Sequence, residues 1–264
     1  MTTPAIRATD PLPFRQTTRQ IYIEYRKLTS TPALWVASGV MVTLAVVGLV
    51  TNVFVAGSNG QPALGSTANV SKSLSVSAVT GMTMLVLGIL VMAGEFRHRT
   101  ILATYLGEPH KGRVLIAKLL LMGVLGAVAG AVVFGLTVGM AIPLYAARGV
   151  HDLPVDIGRY WLGATLATGC YALLGVAVGA LIRNTVGAVI GALVWVQVVE
   201  QLLLANVFPE LAKWLPTGAA VGLTVPANPG QDVLSPGVAL LVLLGWTALI
   251  SVVATAVNAR RELR

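Results

Sequence analysis

The chain is poor in charge and nearly without cysteine. Asp, Glu, Lys and Arg make up 11% of its 264 residues while 56% are hydrophobic, and a charged share about half that of a soluble domain cannot clothe so much apolar surface. A single water-facing globule is excluded. The lone Cys170 permits no intramolecular disulfide and no thiol-based metal site, and His98, His110 and His151 are too dispersed to supply one. No metal is expected. There is no G-x-x-x-x-G-K-S/T phosphate loop, so the chain cannot cradle ATP in that manner and is expected to bind no cofactor itself. A G-x-S-x-G elbow and an H-E-x-x-H pair are also missing. Glu200 is the only acid clearly inside an apolar run, which leaves membrane-embedded catalysis without paired acids or a nucleophile and base.

What the chain has instead is six apolar stretches, each near the roughly 20 residues that cross a hydrocarbon core of about 30 Å. They lie at 32–55, 74–94, 114–142, 159–182, 185–207 and 236–257. The expected fold is all-α and polytopic. Only Arg183 and Asn184 separate the fourth and fifth stretches, which predicts a tight antiparallel hairpin. The third is longer than required, so it is expected to tilt or to project beyond the membrane.

The net charge is +8, yet the basic residues gather between apolar runs rather than along one face. That placement speaks of topology and against nucleic acid. The first 30 residues carry Asp10, Glu24 and several arginines with no continuous apolar core, unlike a cleavable signal peptide. With the amino terminus inside, 14 of the 18 Lys and Arg residues fall on the inner side, among them Arg97, Arg99, Lys111, Arg113, Lys118 and Arg183. Such an excess marks the cytoplasmic face of a plasma (inner) membrane protein with both termini cytoplasmic.

Residues 1–31 divide into a polar tail and an amphipathic helix from Phe14 to Ser30. Phe14, Ile21, Tyr25 and Leu28 share one face, and Arg15, Arg19, Arg26 and Lys27 surround the other, which suits a helix lying among lipid headgroups. Residues 32–264 form the membrane domain. On its outer side, 56–73 is rich in Gly, Ser and Asn and predicts a flexible loop. In contrast, 208–235 carries Leu211, Trp214, Leu215, Val221 and Leu223 between prolines, so short helices dipping into the outer leaflet are expected there as readily as an interfacial loop. Gly126/Gly130, Gly135/Gly139, Gly175/Gly179 and Gly187/Gly191 form small-xxx-small pairs that predict close helix packing. No internal repeat is visible, which weighs against a carrier built from duplicated halves.

Two polar features interrupt the apolar plan. Gln197, Glu200 and Gln201 follow i, i+3, i+4 spacing on the fifth stretch, level with Thr168 of the fourth near Thr165 and Tyr171. They form either a polar patch on a translocation path or a hydrogen-bonded lock between two helices. The other feature is a basic island from Glu95 to Lys118, with a short helix expected over 100–106 between Thr100 and the Pro109 and Gly112 breakers. It is either a solvated inside loop or a projecting contact that transmits force.

The island resembles the segment between the second and third spans of ABC-2 type transporter permeases. An E-x-x-x-x-T run from Glu95 to Thr100, then Pro109, Arg113 and Lys118, carries the likeness. So do the helix at Phe14–Ser30, the six-span plan and the proline-broken Phe208–Thr224 stretch, where this family has short re-entrant helices. Arg99 departs from the glycine or small residue of many relatives. The resemblance implies a permease subunit of an ATP-driven exporter, paired with a second copy or a similar permease and with two separate ATPase subunits that hold ATP and Mg. By that likeness the 95–113 segment is a coupling helix. Its partner contacts are Glu95, Phe96, Arg97, Arg99, Thr100, Ile101, Leu102, Tyr105, Leu106, Pro109 and Arg113. Alternating access would move an amphiphilic substrate (a drug, lipid or antimicrobial peptide) along a path lined by Glu200, Gln197, Gln201 and Thr168. The competing expectations are an ATP-independent channel or secondary carrier using Glu200 as an ion or proton site, and, remotely, an intramembrane enzyme.

Overall fold

The computed structural model describes residues 13–58, 60–75, 79–97, 111–224 and 233–262. Those residues form helices α1 (Pro13–Ser30), α2 (Pro32–Val55), α3 (Thr67–Ser75), α4 (Val79–Arg97), α5 (Lys111–Ala146) and α6 (Ile157–Ile182). After them come α7 (Thr185–Val194), a π-helical segment (Trp195–Leu204) with a closing turn (Ala205–Val207), α8 (Pro209–Ala212), α9 (Pro216–Thr224) and α10 (Pro236–Glu262). Among the described residues there are no strands, and six helical stretches are long and apolar enough to cross a membrane, which is compatible with a multi-pass membrane protein.

The helix starts follow local chemistry. Pro32 and Pro216 occupy first helical positions, where no intrahelical N–H is required. Asp156 caps α6 by accepting a hydrogen bond from the Arg159 amide at 3.1 Å. The predicted hairpin is formed as expected: Arg183 ends α6 in the left-handed region at φ 56° and Asn184 caps α7 by accepting from Gly187 N at 3.0 Å. A left-handed non-glycine residue costs about 1–2 kcal/mol. The guanidinium of Arg183 gains a compensating contact over the Phe96 ring, 4.7 Å from its centroid.

Helix α6 is the hub of the bundle, packed by α4, α5, α9 and α10. Apolar transfer offers little drive between helices that are surrounded by lipid, so close packing and hydrogen bonds must supply it. Here the glycines matter. A Cβ on Gly175 would lie 2.2 Å from the Leu85 carbonyl oxygen, and one on Gly126 would lie 2.9 Å from that of Thr168. Gly130 and Gly179 make similar approaches, whereas a Cβ on Gly135, Gly139 or Gly191 would meet nothing within 4 Å. Of the small-residue pairs read from the sequence, those at 126/130 and 175/179 are thus used inside the chain.

Two expectations differ from what is observed. The stretch expected as a loop over 56–73 becomes helical at α3, because the hydroxyls of Tyr145 and Tyr160 recruit its polar side chains. Tyr145 Oη donates to Asn69 Oδ1 at 2.7 Å and lies 2.8 Å from Ser73 Oγ, and Tyr160 Oη donates to Ser71 Oγ at 2.8 Å. The fifth span is not a uniform α-helix either, since residues Trp195–Leu204 are wound as a π-helix. The short helices expected before the last span are present. Helix α9 buries Pro216, Ala219, Gly222 and Leu223 against the bundle, while Leu211, Trp214 and Val221 stay exposed.

Candidate functional site

At the α1 end of the bundle, four charged side chains from three helices meet. Glu24 and Lys27 lie one turn apart on α1, Glu95 ends α4, and Lys118 stands two turns into α5. Lys118 is 1% exposed and Glu24 2%. Lys118 Nζ pairs with Glu24 Oε2 and lies 3.1 Å from Glu95 Oε1. Lys27 Nζ closes the ring, 2.9 Å from Glu24 Oε1 and 3.0 Å from Glu95 Oε1. Two carboxylates against two ammoniums leave the cluster balanced, the condition under which buried charge is tolerable.

Burial alone would raise the Glu24 pKa, but the charges and hydrogen bonds of Lys118 and Lys27 outweigh it and hold the carboxyl below its ordinary value of 4.5. Burial likewise opposes the Lys27 ammonium, and Glu24 with Glu95 overcomes it, so Lys27 stays protonated above its ordinary value of 10.5. On α1, Glu24 and Leu28 face the bundle, while Tyr25 is exposed. Sequence reasoning missed Glu24 and treated Lys118 as a topology marker. The available signal was an acid alone on a basic helix.

The residues expected to meet an ATPase are distributed as follows. Glu95 is 8% exposed and engaged inside the cluster. Phe96 is half-buried beneath Arg183, and Arg97 is exposed. Arg99, Thr100, Ile101, Leu102, Tyr105, Leu106 and Pro109 lie outside the described residues, as does the Arg113 side chain. The expected 100–106 helix falls there too. The helices that lead into and out of this segment, α4 and α5, are the two that Glu95 and Lys118 tie together.

A second polar site sits in the body of the bundle, where a cavity of about 140 Å³ includes Thr168, Tyr171, Gln201 and Thr217 in its lining. Glu200 is 2% exposed, and its Oε2 accepts a hydrogen bond from Thr217 N at 2.8 Å. Thr217 follows Pro216 at the start of α9, so Glu200 caps that helix from another element. The cavity thus brings Gln201 and Thr168 together and adds Thr217, which the sequence reading lacked and to which Glu200 is hydrogen-bonded without itself being in the lining. Pro216 at a helix start was the signal for it.

Gln197 is placed elsewhere. It and Gln201 are exposed while Glu200 is buried. The i→i+5 bonding of a π-helix widens the turn, so positions four apart align and the position between them turns away. The shared face inferred from α-helical spacing does not survive that widening. Thr165 commits its hydroxyl to the Trp161 carbonyl at 2.8 Å. Among the described residues, no cluster of three His, Cys, Asp or Glu side chains could hold a metal. Cys170 is buried and unpaired with another cysteine. No family model matches the chain, and no match was found among curated proteins.

Proposed function

We propose that this chain is the permease subunit of an ATP-driven exporter of the ABC-2 type. Two permease chains, two copies of this one or this one with a similar partner, enclose the path, and two cytosolic subunits bind and hydrolyse Mg-ATP. The observation that carries the reading is the Glu24–Lys118–Glu95–Lys27 cluster. It clamps the interfacial helix α1 to the inner ends of α4 and α5, the helices that bracket the 98–110 segment. A push on that segment would then move three elements together instead of bending one loop. In this arrangement Glu95 works inside the clamp, and contact with the ATPase falls to Arg97 and the residues up to Arg113.

ATP acts through its different affinity for the two states of the ATPase pair, and this chain relays that difference. The cavity lined by Thr168, Tyr171, Gln201 and Thr217, with apolar walls around it, suits an amphiphilic cargo. Placing proline within 101–106 tests the coupling: the variant should insert and assemble, yet lose the link between ATP hydrolysis and transport in reconstituted complexes. Substrate-stimulated hydrolysis equal to wild type would contradict it.

A second reading is favoured by one observation, the burial of Glu200 beside the Thr217 wall of the cavity. There the chain would be an ATP-independent channel or carrier in which this carboxyl binds an ion or proton. It requires function with no ATPase present.

A further inference from the structure

Beside the charge cluster lies a second cavity, of about 530 Å³, between α1, the start of α2, the end of α4 and the start of α7. Its walls are mainly apolar, from Leu28, Ala33, Leu87, Leu90 and Val91, and its charged residues are Glu24, Lys27, Glu95, Lys118 and Arg97. We infer that this crevice is a binding site for one anionic phospholipid, with the phosphate at the Lys27 and Arg97 end and an acyl chain along α4. The inference rests on the chain spanning a membrane and not on any ATPase.

Three features converge on that ligand. Two carboxylates against three cations leave the lining with one positive charge. Accessibility sharpens the sign: the Glu24 and Glu95 side chains are 3% and 10% exposed and already engaged by lysines, whereas Lys27 is 42% exposed and Arg97 is exposed at the surface. An incoming headgroup therefore meets cations first. The acids sit behind them.

The second feature is Thr185, which lines the cavity at the start of α7. Its hydroxyl is buried and has no hydrogen-bond partner, a condition that buried polar groups seldom keep. A phosphate or glycerol oxygen would supply one. Third, no aromatic ring is found among the described residues of the lining, so a choline headgroup would meet no cation–π cage there and would bring its own positive charge toward Lys27 and Arg97. The volume falls within the usual range for a small-molecule pocket. The apolar wall separates a lipid from free phosphate, which has nothing to gain from Leu87, Leu90 and Val91. Occupied, the site would brace α1 against α2, α4 and α7 beside the charge cluster.

The test uses the full-length protein, purified in detergent and stripped of lipid, and follows its thermal unfolding as phosphatidylglycerol, phosphatidylcholine or inorganic phosphate is added. Phosphatidylglycerol should raise the midpoint saturably, and the other two should not. Arg97→Gln should weaken half-saturation roughly tenfold, about what one hydrogen bond to a charged group is worth. Leu90→Trp, at a position already 37% exposed, should block the crevice without disturbing the core. Leu241→Trp, on the exposed face of α10, should respond as wild type does. Equal shifts with phosphatidylcholine would overturn the proposal, and so would a shift reproduced by inorganic phosphate. A wild-type response in both Arg97→Gln and Leu90→Trp would also overturn it.

Discussion

Lys118 and Glu24 are ion-paired across 94 positions of sequence, and both are withdrawn almost completely from solvent. Neither could stay charged there alone, because the isolated ion would keep its desolvation cost without its partner's field. The pair therefore joins α1 to α5 more firmly than a surface contact could. Lys118→Met should cost about 3–5 kcal/mol in thermal unfolding, since it leaves two buried carboxylates sharing one lysine. The double variant Glu24→Gln/Lys118→Met should recover part of that loss. Strict additivity of the two single variants would contradict the pairing.

The same cluster sets a pH window. Glu24 titrates below its ordinary value of 4.5 in the folded chain, so its contribution is present above 4.5 and is lost as the pH falls through the folded value. Lys27 titrates above 10.5, so its contribution is present below that value and is lost as the pH rises through the folded one. Hydrogen exchange along α1 should consequently be slowest between these limits. Glu24→Gln should flatten the acid side while leaving an alkaline limb from Lys27, which keeps its ion pair with Glu95.

Glycines that look alike in sequence should respond differently. Gly175→Ala places a methyl group against the Leu85 carbonyl and should cost about 1–3 kcal/mol, as overpacking does. Gly191→Ala meets nothing within 4 Å and should stay within about 0.5 kcal/mol of wild type. Unfolding of the purified protein distinguishes the two.

Glu200 separates a structural from a functional carboxyl. Glu200→Gln retains an oxygen for the Thr217 amide and should unfold as wild type does. Glu200→Leu leaves that amide without its acceptor and should lose about 1–3 kcal/mol. If Glu200→Gln also transports at the wild-type rate, the negative charge has no part in the path, and the carrier reading fails.

Much of this architecture was legible in the chain because its physics is local. Length and apolarity marked the six spans, and Arg183-Asn184 marked the hairpin. The clamp was not legible, because the Glu24–Lys118 pairing depends on which helices become neighbours and leaves no trace in local periodicity. Helix α3 escaped for a similar reason: its polar residues owe their burial to Tyr145 and Tyr160, more than 70 positions away. The π-helical turns of the fifth span carry no residue signature, so Gln197 was grouped with Glu200 by a spacing that the widened helix does not keep.

The central claim is that a separate ATPase drives this membrane chain through the segment joining α4 to α5. Its most direct test is to isolate the tagged full-length protein from its native membrane in mild detergent, identify what accompanies it, and measure Mg-ATP hydrolysis. The account predicts a co-purifying subunit with a phosphate loop, with hydrolysis that copurifies with it, and loss of that subunit when Arg97 and the 101–106 residues are replaced. A chain that carries no ATPase and transports without ATP after reconstitution would contradict it.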